Sequence, residues 1–188
     1  NTKANQSHTG EQWPNGWWVT RVSETGSTNT DMVTLAAAGA KHHSVLMADF
    51  QSAGKGRLDR TWVAEPGANL LVSLLFRTSE TRTRPLHQFT QMVGMSAAHA
   101  CHQLTGVLPD MKWPNDLLIA NKKVSGILAQ GGSEFVVVGI GVNVNWAPPD
   151  AMSLAIAAPL RTTTPVDVLR NMLIAIDEYE ALLPEQMH

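Results

Sequence analysis

Cysteine is nearly absent. The 188 residues contain one, Cys101, so no internal disulfide can form, and the chain reads as one made for a reducing compartment, the cytoplasm. Charge is balanced: 14 Lys and Arg stand against 16 Asp and Glu, a formal net charge of −2. Non-specific nucleic-acid binding rests on a positive surface, so this balance argues against a DNA partner. No apolar run reaches the length of a membrane span. The N-terminus lacks the basic, apolar and small-residue succession of a signal peptide. There is no internal repeat and no low-complexity block. Gly54-Lys-Gly-Arg lacks the spacing of a Walker-type loop, and no Ser-His-Asp arrangement stands out. His42, His43, His87, His99 and His102 show no metal-ligand spacing and read as core-edge or surface residues.

What is present is ordinary for a globular protein. The composition is 44% hydrophobic and 16% charged, and the length fits one domain with its own core. Residues 1–16 are polar, with Gly10, Pro14 and Gly16. They read as a loose arm, too short for a helix-turn-helix module. Residues 17–188 read as the domain.

Trp17 to Ser23 alternates as a first strand. Ser27 or Thr28 is a cap for a short helix through Gly39. Ser44–Gln51 is a second strand. A glycine-rich loop follows, to about Pro66. Asn69–Arg77 is an almost continuous apolar run, the pattern of a central strand. From Pro85 to Thr105 the residues Phe89, Met92, Val93, Ala97, Ala100, Cys101 and Leu104 form a helical stripe, and Gly106 is its stop. Short strands come next, at Met111–Trp113, Asp116–Ala120, Val124–Gln130 and Phe135–Val142. Asn121-Lys122 and Gly131-Gly132-Ser133 are read as hairpin turns. Thr164-Pro165 opens a final helix. Hairpins require antiparallel pairing, so the fold class is α+β: a mixed, largely antiparallel sheet with helices mainly on one face.

Four stretches carry residues fit for chemistry. In Gln51 to Trp62, Gly54 and Gly56 bracket Lys55, and Arg57 and Arg60 follow. Glycines let backbone N–H groups turn to an anion, guanidinium grips phosphate or carboxylate, and Trp62 offers a flat face. Taken alone, the same residues would also suit a solvated basic loop. In Lys112-Trp-Pro-Asn-Asp116, the segment before Pro114 is extended. Asn115 and Asp116 then lie at a strand edge, where they can serve a ribose, a metal, the backbone, or only the turn. Lys123 opens an apolar strand, either as an exposed hairpin residue or as a functional cation, with Gly126 leaving room against the backbone. Gly139 and Gly141 share one side of their strand, followed by Asn143 and Asn145. That pattern fits a ligand floor or a strand pressed under a helix.

In this order and at similar separations, the Gly-Lys-Gly-Arg loop with its Trp62, Lys-Trp-Pro-Asn-Asp, Lys-Val-Ser-Gly-Ile-Leu and Gly-Ile-Gly-Val-Asn resemble the biotin protein ligases. Ser-Thr-Asn at 27–29 also falls where that family has it. The resemblance covers about residues 18–183 and implies a core similar to that of class II aminoacyl-tRNA synthetases. It implies ATP-dependent biotinylation of a carrier lysine through biotinyl-AMP, with Lys123 and Arg57 catalytic. Ser27, Thr28, Gln51, Gly54, Lys55, Gly56, Arg57, Lys123 and Gly126 would hold biotin. Arg57, Arg60, Trp62, Lys112, Asn115, Lys123 and Asn143 would hold the nucleotide, and Asp116 would contact Mg2+ indirectly. The implied partners are a biotin carboxyl carrier domain of an acyl-CoA carboxylase and a second copy in a homodimer. The alternatives are a lipoate or octanoate enzyme of the same fold, whose Arg-Arg-x-Ser-Gly-Gly-Gly-like stretch is absent, and a biotin-binding module with impaired ligation. Two residues depart from the family's usual pattern: Lys55 stands where many bacterial members have arginine, and Gln130 where glutamate is common. The family's small C-terminal β domain is expected to be missing from this chain.

Overall fold

The computed structural model describes residues 11–79 and 85–182. Its elements run β1 (Trp18–Thr25), α1 (Thr28–Ala37), β2 (Ser44–Gln51), β3 (Leu70–Arg77), α2 (Leu86–Thr105), β4 (Asp110–Lys112), β5 (Asp116–Ile119), β6 (Lys122–Gly131), β7 (Phe135–Val142), α3 (Leu154–Ala157) and α4 (Pro165–Leu182). The strands form one sheet in the order β1-β2-β3-β7-β6-β5-β4. Only β1 and β2 are parallel, and the crossover between them is α1. All other neighbours are antiparallel, as the hairpin signals require. The central position of Asn69–Arg77 is also observed, because β3 lies between β2 and β7.

The apolar alternation of the strands decides which face each helix covers. Val45, Met47, Leu70, Val72, Leu74, Phe76, Val138 and Ile140 point to one face. There they form the main core with Phe89, Val93, Ala97 and Cys101 of α2 and Val168, Leu169, Met172 and Ile176 of α4. Leu46, Leu75 and Val137 point the other way and meet Met32 and Ala36 of α1 in a smaller cluster. The two long helices thus share one face. The short helix α1 covers only part of the other, so the remainder of that face is available for a site.

Helix ends follow their local chemistry. Ser27 caps α1, and Gly106, at φ 77°, ends α2 in the left-handed region. At the start of α4, Thr164 Oγ1 accepts the Asp167 N–H at 3.1 Å while Asp167 Oδ2 accepts the Thr164 N–H at 3.3 Å, a reciprocal cap.

Three expectations shift. The β5–β6 turn is Ala120-Asn121, both at positive φ (50° and 63°), and Lys122 already belongs to β6, one residue earlier than the composition suggests. The short helix α3 has no sequence counterpart. The polar arm is not loose where it is described: Glu11 pairs with Arg21 at 3.0 Å, the Gln12 carbonyl accepts from Arg170 at 3.0 Å, and Trp13 packs against the main core. Residues 1–10 lie outside the described part.

Candidate active site

At the ends of β1 and β2 and the start of α1, side chains from distant segments converge over the uncovered half of the sheet. The floor is glycine. In the strand register, Ser73 of β3, Gly139 of β7 and Leu128 of β6 form one row. Leu71, Gly141, Gly126 and Asp116 form the next. The two rows lie two residues apart along β7, about 7 Å at the rise of a strand.

Above the first row sits a neutral polar cluster. Asn29 lies where a Cβ on Gly139 would overlap its amide. It spans the row, with Nδ2 donating to the Leu128 carbonyl at 3.0 Å and Oδ1 accepting from Ser73 Oγ at 2.6 Å. Ser73 Oγ also lies 2.8 Å from Thr28 Oγ1. The end of β2 brings in Gln51, whose Oε1 accepts the Thr28 backbone N–H at 2.8 Å and lies 3.0 Å from its hydroxyl. Ser27, Thr28, Asn29 and Ser73 are all buried. This end of the pocket has hydrogen-bonding groups and no formal charge.

Above the second row the site is aromatic and cationic. The Trp62 ring lies across Gly126 and Gly141, where a Cβ at either position would meet it. Lys123 Nζ is 5.6 Å from the centre of that ring and 2.8 Å from Asp116 Oδ1. Arg57 donates to Asn115 Oδ1 at 3.0 Å. Asn115 is itself clamped to β6, with its Nδ2 donating to the Ile127 carbonyl at 3.1 Å and its own carbonyl accepting the Ile127 N–H at 2.8 Å. The peptide bond before Pro114 is cis.

The loop that delivers Lys55, Arg57 and Trp62 is a small folded hairpin. Trp62 N–H donates to the Gly54 carbonyl at 2.9 Å and Gly56 N–H to the Arg60 carbonyl at 2.6 Å. Leu58 and Asp59 take positive φ at its tip. A Cβ on Gly54 would stand 2.5 Å from the Trp62 carbonyl oxygen, so glycine is needed for the two legs to approach.

Most residues singled out in the sequence meet here. Ser27, Thr28, Gln51, Lys55, Gly56, Arg57, Trp62, Asn115, Lys123 and Gly126 line one pocket. Gly54 shapes the loop behind it, and Asp116 reaches it through Lys123. Arg60 and Lys112 are exposed and outside the lining. Asn143 is not brought to the pocket. It is buried, its Oδ1 accepts from Asn69 at 3.3 Å, and its Nδ2 donates to the Met152 carbonyl at 3.1 Å, so it ties the end of β7 to the segment before α3. Asn29 and Ser73 were missed. Asn29 stood inside a recognisable Ser-Thr-Asn run, but Ser73 was one hydroxyl in an apolar strand.

No carboxylate is among the lining residues, and Asp116 is already matched to Lys123. Asp116 therefore stands behind Lys123 and not at the pocket wall. The described histidines and acids close enough to share an ion are His42, His43 and Glu180. They lie at the opposite end of the sheet, where Trp17 stacks on His43 with ring centres 3.9 Å apart.

The fold and this pocket define a domain whose uncovered sheet face carries neutral hydrogen-bonding side chains over one row of the sheet and an aromatic ring with cationic side chains over the next. The sequence profile of the Biotin/lipoate A/B protein ligase family matches residues 20–145, and the chain belongs to that family. It is 35% identical to a biotin–[acetyl-CoA-carboxylase] ligase of Mycobacterium tuberculosis over 175 residues, covering 87% of this chain and 66% of the relative. It is 33% identical over 168 residues to the ligase of the same name from Paracoccus denitrificans, covering 86% and 67%. The biotin protein ligase of Aquifex aeolicus, solved with biotin and ATP, superposes with a TM-score of 0.77 at 30% identity, over 90% of this chain and 72% of that one. The chain thus spans about two thirds of the length of these curated relatives.

Proposed function

We propose that this chain carries the catalytic domain of a biotin–protein ligase, which joins biotin to a lysine of a carrier protein at the expense of ATP. The observation that carries this reading is the division of the pocket. Over the first row, Thr28 and Gln51 offer hydrogen-bonding groups suited to a neutral cyclic urea. About 7 Å further along the strand, Lys123, Arg57 and Lys55 offer positive charge suited to a carboxylate and a phosphate. The likeness to the Aquifex ligase solved with biotin and ATP supports the same reading. The family description also covers lipoate enzymes, but lipoate lacks a urea head.

The first step joins two anions. A biotin carboxylate oxygen attacks the α-phosphorus of ATP, a P–O bond forms, and pyrophosphate leaves with the bonding pair. Charge spreads over the phosphate oxygens as this happens, and cations fixed beforehand stabilise it more than mobile water can. Lys123 is held in place by Asp116 and the Trp62 ring, and Arg57 by Asn115. With the hairpin closed as it is here, both are oriented before that charge develops. In the second step the neutral amine of the carrier lysine attacks the acyl carbon, the acyl C–O bond to the phosphate breaks, AMP leaves with the bonding pair, and the new amide nitrogen gives up one proton to solvent. Until then the mixed anhydride has to be kept from water, and the hairpin of residues 54–62 is the described segment that can lie over it.

In this reading Ser27, Thr28, Gln51, Gly56 and Gly126 hold biotin, and Trp62 and Asn115 serve the nucleotide, with Arg60 and Lys112 at its outer edge. Mg2+ would enter with ATP. The carrier is a biotin carboxyl carrier domain of an acyl-CoA carboxylase, and the setting is the cytoplasm. A homodimer and a domain spanning residues 17–188 belong to the same proposal.

The test is biotin-dependent exchange of labelled pyrophosphate into ATP, with lipoate and octanoate as controls. The expected result is exchange with biotin alone. Exchange with lipoate instead would move the chain to the other branch of its family. Biotin binding without exchange would reduce it to a binding module.

A further inference from the structure

We infer that Ser73, which is fully buried and set back from the pocket, is a positioning residue that fixes which way the Thr28 hydroxyl faces, and with it what the head of the pocket will accept. The identity of the ligand rests on the biotin reading above; the proton arrangement does not.

The argument is a count of protons. Asn29 Nδ2 donates to the Leu128 carbonyl at 3.0 Å, a backbone oxygen that can only accept. That contact settles the orientation of the amide, so Asn29 Oδ1 is the atom 2.6 Å from Ser73 Oγ. An amide oxygen has no proton to give, so the single Ser73 proton goes to Asn29. Ser73 Oγ then faces Thr28 Oγ1, 2.8 Å away, only as an acceptor, and the proton between them is the one on Thr28.

The competing acceptor is Gln51 Oε1, at 3.0 Å from the Thr28 hydroxyl, but it already takes the Thr28 backbone N–H at 2.8 Å. Sending the hydroxyl proton to Gln51 would leave two oxygens 2.8 Å apart with no proton between them. Ser73 has 0% exposure and Thr28 3%, and an unsatisfied pair costs most in such a buried place. The chain therefore runs Thr28 to Ser73 to Asn29, away from the pocket.

Two consequences follow. Thr28 meets a ligand with a lone pair, and so takes an N–H. Gln51, its oxygen engaged, meets a ligand with its Nε2 protons, and so gives to a carbonyl. A group with N–H and C=O side by side, as in a cyclic urea, satisfies both. Gly139 belongs to the same device, because any side chain there would displace the Asn29 amide that starts the count.

Two measurements test this. The first needs no ligand. In wild-type protein the Thr28 hydroxyl proton is expected in slow exchange by NMR, with Overhauser contacts to the Ser73 methylene protons. A proton found against Gln51, or in fast exchange, overturns the inference. The second is a double-mutant cycle on biotin affinity and on KM and kcat of the exchange reaction, using Ser73→Ala and Thr28→Val. Ser73→Ala is expected to weaken biotin about tenfold, the size of one lost hydrogen bond, with kcat within about twofold. Once Thr28 is valine, Ser73→Ala should cost nothing further. Additive losses would make Ser73 a packing residue and overturn the inference. Should Ser73→Ala fail to fold, the wild-type proton measurement still decides. Wild-type protein whose Thr28 proton faces Ser73 but which has no affinity for biotin would sink the biotin reading alone.

Discussion

Lys123 sits between two opposing influences, and its substitution separates them. Its ammonium is 2.8 Å from Asp116, with both side chains partly exposed (38% and 24%), so the pair itself adds little to stability. Its value lies in the positive charge it keeps at the pocket. Lys123→Ala is expected to lower the exchange rate by a hundredfold or more, about 3 kcal/mol of transition-state stabilisation. Part of such a loss could come from the released Asp116 carboxylate repelling the substrates. The double variant Lys123→Ala/Asp116→Asn decides this: if the ammonium acts directly, the rate stays low, and recovery to near wild type would show that the carboxylate was responsible. Gly141 makes a different demand. A Cβ there would stand 2.4 Å from the nearest Trp62 ring atom, and a ring on a loop moves more easily than the backbone of a central strand. Gly141→Ala should therefore leave the melting temperature almost unchanged while lowering exchange by tenfold or more, since small displacements of aligned groups are costly in rate. An unchanged rate would mean that the position of the indole does not matter to the reaction.

At the scale of elements, the hairpin of residues 54–62 is held to the body at few points. Trp62 rests on Gly126 and Gly141, and Arg57 reaches Asn115, while its tip residue Leu58 is 82% exposed. A segment with so few buried contacts opens at low cost. Lys55, Arg57 and Arg60 make it a trypsin target. Saturating biotin is expected to slow cleavage there several-fold, read as the time course of nicked fragments by mass spectrometry. Equal cleavage with and without biotin would argue that the hairpin does not close on the ligand. The elements themselves were readable where side-chain period and punctuation agree. Ser44–Gln51 stands as a strand over the range expected, and Gly106 stops α2. The β5–β6 turn slipped by one residue because Ala120 adopts positive φ without the glycine or asparagine that announces such a turn. The short helix α3 has four residues, too few to show a period. Lys55, Arg57 and Lys123 stand out in the sequence because each is a cation within three residues of a glycine, and the structure brings all three to one pocket. Asn29 works through contacts 44 and 99 residues away, and no local pattern reveals those.

For the whole molecule, the two faces of the sheet divide the labour. One is sealed by α2 and α4 and supplies rigidity; the other is left half open for chemistry. The sealed face contains its own reporter. Cys101 has 0% exposure, in the cluster between α2, α4 and the sheet. Burial pushes its thiol up to about 12, so at neutral pH almost no thiolate is present to react. A thiol reagent should leave the native protein unlabelled at pH 8 and label it fully in denaturant. In native buffer the slow labelling rate should follow the global unfolding equilibrium, falling when the fold is stabilised by a bound ligand. Stoichiometric labelling within minutes would mean that α2 separates from α4 without unfolding the sheet. The face that holds the site rigid would then itself be mobile, and the preorganisation on which the roles of Lys123 and Arg57 depend would have to come from the hairpin and β6 alone.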